Sequence, residues 1–120
     1  GLIIMGMDYA TLSISHDENG FSIKQTEAIK AIDGAEEKVN EETRLKNNSA
    51  YFKVEVSAPD AICQFSFSEN GKNFKKIGKP FKAQPGKWIG AKVGLFSVST
   101  QEAKRGGYAD VEYFKISKEN

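Results

Sequence analysis

Gly86-Lys87-Trp88-Ile89-Gly90-Ala91-Lys92-Val93-Gly94-Leu95-Phe96-Ser97-Val98 is the stretch on which the fold turns. Apolar groups fall on both parities: Ile89, Ala91, Val93 and Leu95 on one side, Trp88, Phe96 and Val98 on the other. A strand covered on a single face alternates cleanly, so this pattern predicts a central strand covered on both. Gly90 and Gly94 share a face and leave a bare strip of backbone. Such a strip serves tight sheet-on-sheet packing, or admits another chain, a bulky side chain or a sugar.

Working outward, the flanking segments alternate in the same way. Residues 61–67 place Cys63 on the parity of Phe65 and Phe67, which makes the thiol a small core hydrophobe rather than a reactive group. Residues 51–57 set Phe52, Val54 and Val56 against Tyr51, Lys53 and Glu55. Residues 9–16 alternate as a half-buried strand, and Phe21 and Ile23 open its partner. Asp17-Glu18-Asn19-Gly20 and Ser68-Glu69-Asn70-Gly71 each carry Asn-Gly, which predicts hairpins with the positive φ angles of a type I′ turn. Residues 2–7 read as a short buried strand, 35–46 as a charged turn leading to an exposed edge strand, 74–81 as a short strand and 108–116 as the last one. Many short strands with turn chemistry between them and no sustained helical stripe predict an all-β fold, closed as an antiparallel β-sandwich over residues 1–120 as a single domain. An apolar strand that opens at the first residue, with no polar lead-in, reads as the continuation of a larger unit truncated on its N-terminal side.

The charge balance narrows the partners. With 17 basic and 16 acidic residues the net charge is +1, so the chain as a whole carries no field to hold nucleic acid or an anionic membrane, and neither is expected as a partner. No apolar run reaches the roughly 18 residues of a membrane span. Gly1-Leu2-Ile3-Ile4-Met5 has no basic start of a signal peptide, so the sequence itself gives no address. A single cysteine forms no internal disulfide and leaves the redox compartment open.

Catalytic patterns are missing. No serine or cysteine has an evident base, no His/Cys cluster suits zinc, and most acids lie in turns or on solvent faces. Asp8, Asp110 and Glu112 are the exceptions, because they neighbour apolar strand positions. On this reading the piece has no catalytic residues and needs no cofactor; a structural calcium held by Asp110, backbone carbonyls and water is the one metal candidate. Trp88, Tyr9, Tyr51, Tyr108 and Tyr113 could form a stacking platform for sugar rings. Trp88 stands out because it follows Pro85-Gly86-Lys87 at a loop end, where a ring can project beyond the sheet.

Four blocks together form a known pattern. Gly1-Leu2-Ile3-Ile4-Met5-Gly6-Met7-Asp8-Tyr9-Ala10, Phe65-Ser66-Phe67-Ser68-Glu69-Asn70-Gly71-Lys72-Asn73-Phe74, Trp88-Ile89-Gly90-Ala91-Lys92-Val93-Gly94-Leu95-Phe96 and Gly107-Tyr108-Ala109-Asp110-Val111-Glu112-Tyr113-Phe114 occur in that order. They resemble the C-terminal concanavalin A-like β-sandwich of family 43 glycoside hydrolases, the β-xylosidases and α-L-arabinofuranosidases. The resemblance implies a concanavalin A-like jelly roll of which this chain is the C-terminal part. It implies a non-catalytic accessory domain of a hemicellulose- and xylan-degrading hydrolase, whose catalytic carboxylates sit in a β-propeller of the same parent chain. Xylo- or arabino-oligosaccharide is then the ligand. In xylosidase members a loop of the sandwich brings an aromatic ring to the rim of the catalytic pocket, and by position Trp88 matches that ring as the substrate-binding residue. Absent strands would leave an open edge, so a homo-oligomer is among the expected partners. A periplasmic or extracellular location is favoured over a cytoplasmic one. The alternative is a free-standing, lectin-like carbohydrate-binding module.

Overall fold

The computed structural model describes residues 1–6, 8–29, 34, 36–57, 59–83, 92–96, 111 and 114–116. Among them are nine strands and no helix: β1 (Leu2–Met5), β2 (Tyr9–Asp17), β3 (Gly20–Ala28), β4 (Lys38–Arg44), β5 (Tyr51–Ser57), β6 (Ile62–Ser68), β7 (Lys75–Lys76), β8 (Phe81–Lys82) and β9 (Lys92–Leu95). They form two antiparallel sheets, as the alternation predicts. The larger has five strands in the order β4-β3-β2-β1-β9. In the smaller, β5 pairs with one edge of β6 while β7 and β8 pair in succession with the other.

Parity decides which residues face inward. The pairs Leu2↔Leu12, Ile4↔Ala10 and Ile14↔Ile23 put one apolar face on the large sheet. Phe52↔Phe67, Val54↔Phe65 and Val56↔Cys63 do the same on the small one. These faces close on a single core in which Leu12, Ile23, Phe65, Ile77 and Phe81 are wholly or almost wholly buried. Each such side chain contributes about 1.5–3 kcal/mol relative to exposure. Cys63 lies in this core, and burial raises its thiol pKa, in line with the inert role expected. β4 is the charged, exposed edge strand that its composition predicts.

A polar residue sits among these apolar ones. Gln25 is on the core face of β3, opposite Leu12, and is fully buried. Its Oε1 accepts from Asn40 Nδ2 of β4 (2.9 Å) and from the Lys79 backbone N–H (3.3 Å), and its Nε2 donates to the Thr26 carbonyl (2.8 Å). The Gly78 N–H, next in the same link, donates to Glu41 Oε1 of β4 at 3.0 Å. Gly78 takes a φ of 77°, and a Cβ there would overlap the Gln25 carboxamide. The link between β7 and β8 is thereby clamped onto the large sheet.

Several details depart from the sequence reading. The strand expected over 74–81 is two dipeptides, β7 and β8, because Gly78 bends the chain between them. In the first hairpin Asp17 pairs with Gly20, and Glu18 and Asn19 keep negative φ, so the turn is not type I′. The Asp17 carboxylate accepts the Asn19 N–H (2.8 Å), and Gly20 alone supplies the positive φ, 110°. The second Asn-Gly stands in a longer loop: β6 ends at Ser68, β7 begins at Lys75, and Gly71 carries the positive φ. Within it Asn70 Oδ1 accepts from the Lys72 and Asn73 N–H groups, and Ser68 Oγ accepts from those of Asn70 and Gly71. In the stretch read as a doubly covered central strand, β9 spans Lys92–Leu95 and borders the described sheet, with Val93 and Leu95 41% and 51% exposed. Of the strand expected over 108–116, the described residues Val111 and 114–116 lie outside any strand and Val111, Phe114 and Ile116 are exposed; the rest falls outside the described residues.

Two of the positive-φ glycines, Gly20 and Gly78, should respond differently to alanine. Gly20→Ala meets no neighbouring atom and should cost about 1 kcal/mol from backbone strain alone. Gly78→Ala adds the displacement of a buried, hydrogen-bonded amide and should cost about 3 kcal/mol or more. Urea denaturation of both variants measures the difference.

Candidate functional site

The sandwich uses its inner faces for the core, so ligand chemistry is confined to the outer faces, the sheet ends and the seam between sheets. Trp88 and Asp110, the two site residues read from sequence, lie outside the described residues, as do Tyr108, Glu112 and Tyr113. What is described is the place where the Trp88 segment joins the sheet. β9 begins at Lys92, opposite Met5 at the far end of β1, and Trp88 precedes Lys92 by four residues. A chain of that length reaches no more than about 14 Å, since each residue spans at most about 3.5 Å.

That end of the large sheet is built by β1, β2 and β3. Met5 pairs with Tyr9, and Tyr9 with Ala28. The next residue of the row is Glu37, one position beyond the last β3–β4 pair, Glu27↔Lys38. Alanine in the middle lets the tyrosine reach across it: Tyr9 Oη donates to Glu37 Oε2 at 2.7 Å, and Ala28 is 1% exposed. The carboxylate acceptor, together with burial, pushes the Tyr9 phenol up to about 12. Met5 and Ile29 flank this row half exposed, and Asp8 lies half-buried in the turn between β1 and β2.

The next rows of this outer face hold small hydroxyl residues and charges. Thr11 and Thr26 share a hydrogen bond between their hydroxyls. Ser13 pairs with Lys24 and Lys24 with Glu42; at the opposite end Arg44 lies 3.7 Å from Asp17. At the β9 border Gly1 and Phe96 exchange backbone hydrogen bonds of 2.8 and 3.0 Å. The Phe96 ring covers the Gly1 backbone, where a Cβ would come within 2.7 Å of it. Gly94 is on this outer face too, opposite Ile3, and a Cβ there would meet nothing within 4 Å. Among the described residues, then, nothing packs over Gly94; Gly90, the other glycine of the strip, lies outside them.

Of the rings read as a stacking platform, the two that are described, Tyr9 and Tyr51, do not share a face. Tyr9 is on the outside of the large sheet, whereas Tyr51 is on the outside of the small one, its ring against the backbone of Gly71, where a Cβ would lie 3.0 Å from it. A shallow depression of about 300 Å³ opens at the seam, lined among others by Arg44, Phe67, Asn70, Asn73 and Lys75. It holds one carboxylate, Glu69, whose Oε1 accepts the Lys46 N–H at 3.2 Å. Hydrolysis of a glycosidic bond needs two facing carboxyls, and this depression supplies one. Among the described residues no group of His, Cys, Asp or Glu side chains is placed to hold a metal ion. Gln25, Glu37 and Phe96 were not singled out from sequence as structural partners. Only Gln25 carried a signal, a polar residue on the parity of Phe21 and Ile23.

The Tyr9–Glu37 contact is measurable. Tyr9 should ionise near pH 12 in an absorbance titration, and Tyr9→Phe should remove that contribution. A folded-state pKa above the ordinary value of 10.0 means that the contact's stabilisation is whole below pH 10 and fades as pH rises toward 12.

Comparison with known proteins places this architecture. Residues 1–117 match the family described as the β-xylosidase C-terminal concanavalin A-like domain. A β-xylosidase of Formosa agariphila is 40% identical over 67 residues, which cover 56% of this chain and 11% of that protein. The matched segment is thus a small part of the relative's length. No solved structure matches. The chain belongs to the family of C-terminal concanavalin A-like domains found in the β-xylosidases of glycoside hydrolase family 43.

Proposed function

We propose that this chain is the non-catalytic accessory sandwich of a β-xylosidase or α-L-arabinofuranosidase acting in hemicellulose breakdown, where it supports the catalytic propeller of the same parent chain and lines its pocket with Trp88. The observation that carries this reading is the family membership over residues 1–117, in a family defined by its position at the C-terminus of β-xylosidases. The geometry agrees with it. The strand that follows Trp88 starts at the Met5 end of the large sheet, and the half-exposed Met5 and Ile29 give that end an apolar rim suited to a docked body. An aromatic ring there can cover a sugar face while the bond-breaking carboxylates come from the other domain.

Trp88→Ala in the intact parent enzyme tests the reading. Loss of one ring contact should lower kcat/KM for an aryl xyloside about 10- to 100-fold, with melting temperature unchanged. Trp88→Phe should restore most of it. Kinetics unchanged in Trp88→Ala would remove the pocket-lining role. Separately, residues 1–120 alone should release no aryl product from xylosides or arabinosides and should not bind neutral arabinoxylan. Hydrolysis above a buffer blank, or such binding, would overturn the accessory role in favour of an independent enzyme or a free-standing binding module.

A further inference from the structure

The outer face of the small sheet has a chemistry unlike that of the large one. Lys53, Ser66 and Lys76 form one cross-strand row, and Ile62 and Lys82 belong to another. Ser66 and Ile62 are four residues apart along β6, so Lys76 and Lys82 stand about 13 Å apart at 3.3 Å per residue. Tyr51 pairs with Ser68, and Phe74 lies one position beyond the last β6–β7 pair, Phe67↔Lys75. The two rings thus flank Ser68 about 10 Å apart, two strand spacings, and are 38% and 36% exposed. Lys53 Nζ sits 4.8 Å from the centroid of the Phe74 ring and 3.5 Å from Glu55. Lys76 and Lys82 are exposed and have no ion pair among the described residues. Beneath the row of lysines Ser66 is 5% exposed, and its Oγ has no hydrogen-bond partner among the described residues.

We propose that this face binds a carboxylate-bearing polysaccharide, with pyranose rings against Tyr51 and Phe74 and uronic acid groups on Lys53, Lys76 and Lys82. Rings half exposed on a sheet surface present a flat apolar contact that sugar faces match. Ammonium groups spaced along the strand select acids that are spread out along a polymer. A nucleic acid is a poorer match: duplex DNA has one charge about every 1.7 Å, whereas this face also carries Glu55 and the whole chain nets only +1. The site lies on the small sheet and is independent of the Trp88 end of the large one.

The test uses the full-length parent protein and affinity electrophoresis in gels of glucuronoxylan, neutral arabinoxylan or poly(U). Retardation by glucuronoxylan that weakens between 50 and 500 mM salt is expected, with little in the other two. Replacing both Lys53→Gln and Lys76→Gln should weaken glucuronoxylan binding about tenfold, two surface charge contacts of modest strength each. Phe74→Ala should weaken it by a similar factor, and each variant should keep the parent's melting temperature and its kcat/KM on an aryl xyloside. Equal retardation by neutral arabinoxylan, tighter binding to poly(U), no retardation by glucuronoxylan, or full binding by the double lysine variant would each overturn the proposal. Because Trp88→Ala reports through turnover of a small substrate, failure there and failure here are distinguishable.

Discussion

The Gln25 carboxamide is the joint on which the relation between the two sheets depends. A buried amide without partners costs about 1–3 kcal/mol, so its place opposite Leu12 is tenable only if the surroundings satisfy it. They do so from separate elements. The register of β3 against β4 shifts between Gln25 and Thr26, where Gln25 faces Glu41 and Thr26 faces Val39. Asn40 is left as the extra residue of that bulge, free to donate to Gln25 rather than to pair. From the other sheet, the link between β7 and β8 contributes the Lys79 N–H, and a glycine at 78 is what lets the backbone come close enough. Apolar packing between the sheets tolerates sliding; a directional amide with fixed partners does not.

With the inner faces committed to the core, the two outer faces diverge. On the large sheet several polar groups pair with one another: Tyr9 with Glu37 across Ala28, Thr11 with Thr26, Arg44 near Asp17; the buried Ser22 hydroxyl has no partner among the described residues. The half-exposed apolar side chains Met5 and Ile29 lie at one end of that sheet. On the small sheet Lys53 pairs with Glu55, Lys76 and Lys82 have no ion pair among the described residues, and the Ser66 hydroxyl below them has no hydrogen-bond partner there. Surface ion pairs such as Arg44–Asp17 and Lys53–Glu55 add little stability, about 0–1 kcal/mol each, so a charged ligand competes with them at small cost.

Much of this was legible from alternation. β2, β5 and β6 follow the parity of their apolar residues, Cys63 sits where Phe65 and Phe67 place it, and the densely charged β4 is the edge that its composition predicts. The features that escaped depend on contacts between residues distant in sequence. Nothing local to Gly78 announces that a carboxamide 53 residues upstream fills the space above it, and nothing local to Ala28 announces that a tyrosine will cross it to reach Glu37. The hairpin was misread for a smaller reason. Asn-Gly suits a type I′ turn only when both of its residues are central, and pairing of Gly20 with Asp17 moved the loop one residue back, to Glu18 and Asn19. Trp88 drew notice from its loop-end position, but the pocket-lining role proposed for it came only through the family pattern, because that role concerns a pocket to which this chain would contribute from outside.

Within the stretch 86–98, the described residues 92–96 put apolar side chains on both faces for two different reasons. Among the described residues the large sheet is five strands wide, whereas β7 and β8 share one flank of β6, so the described part of the small sheet is narrower. β9 pairs with the side of β1 away from β2, and its inward residues Val93 and Leu95, opposite Ile4 and Leu2, are partly exposed although their β1 partners are buried. On the other face Phe96 is spent locally, covering Gly1. Each parity therefore has its own use: one extends the core surface beyond the reach of the second sheet, the other supplies a ring to a bare stretch of backbone. A strand can be apolar on both sides without being buried on both, when the layer meant to cover it is narrower than the sheet to which it belongs.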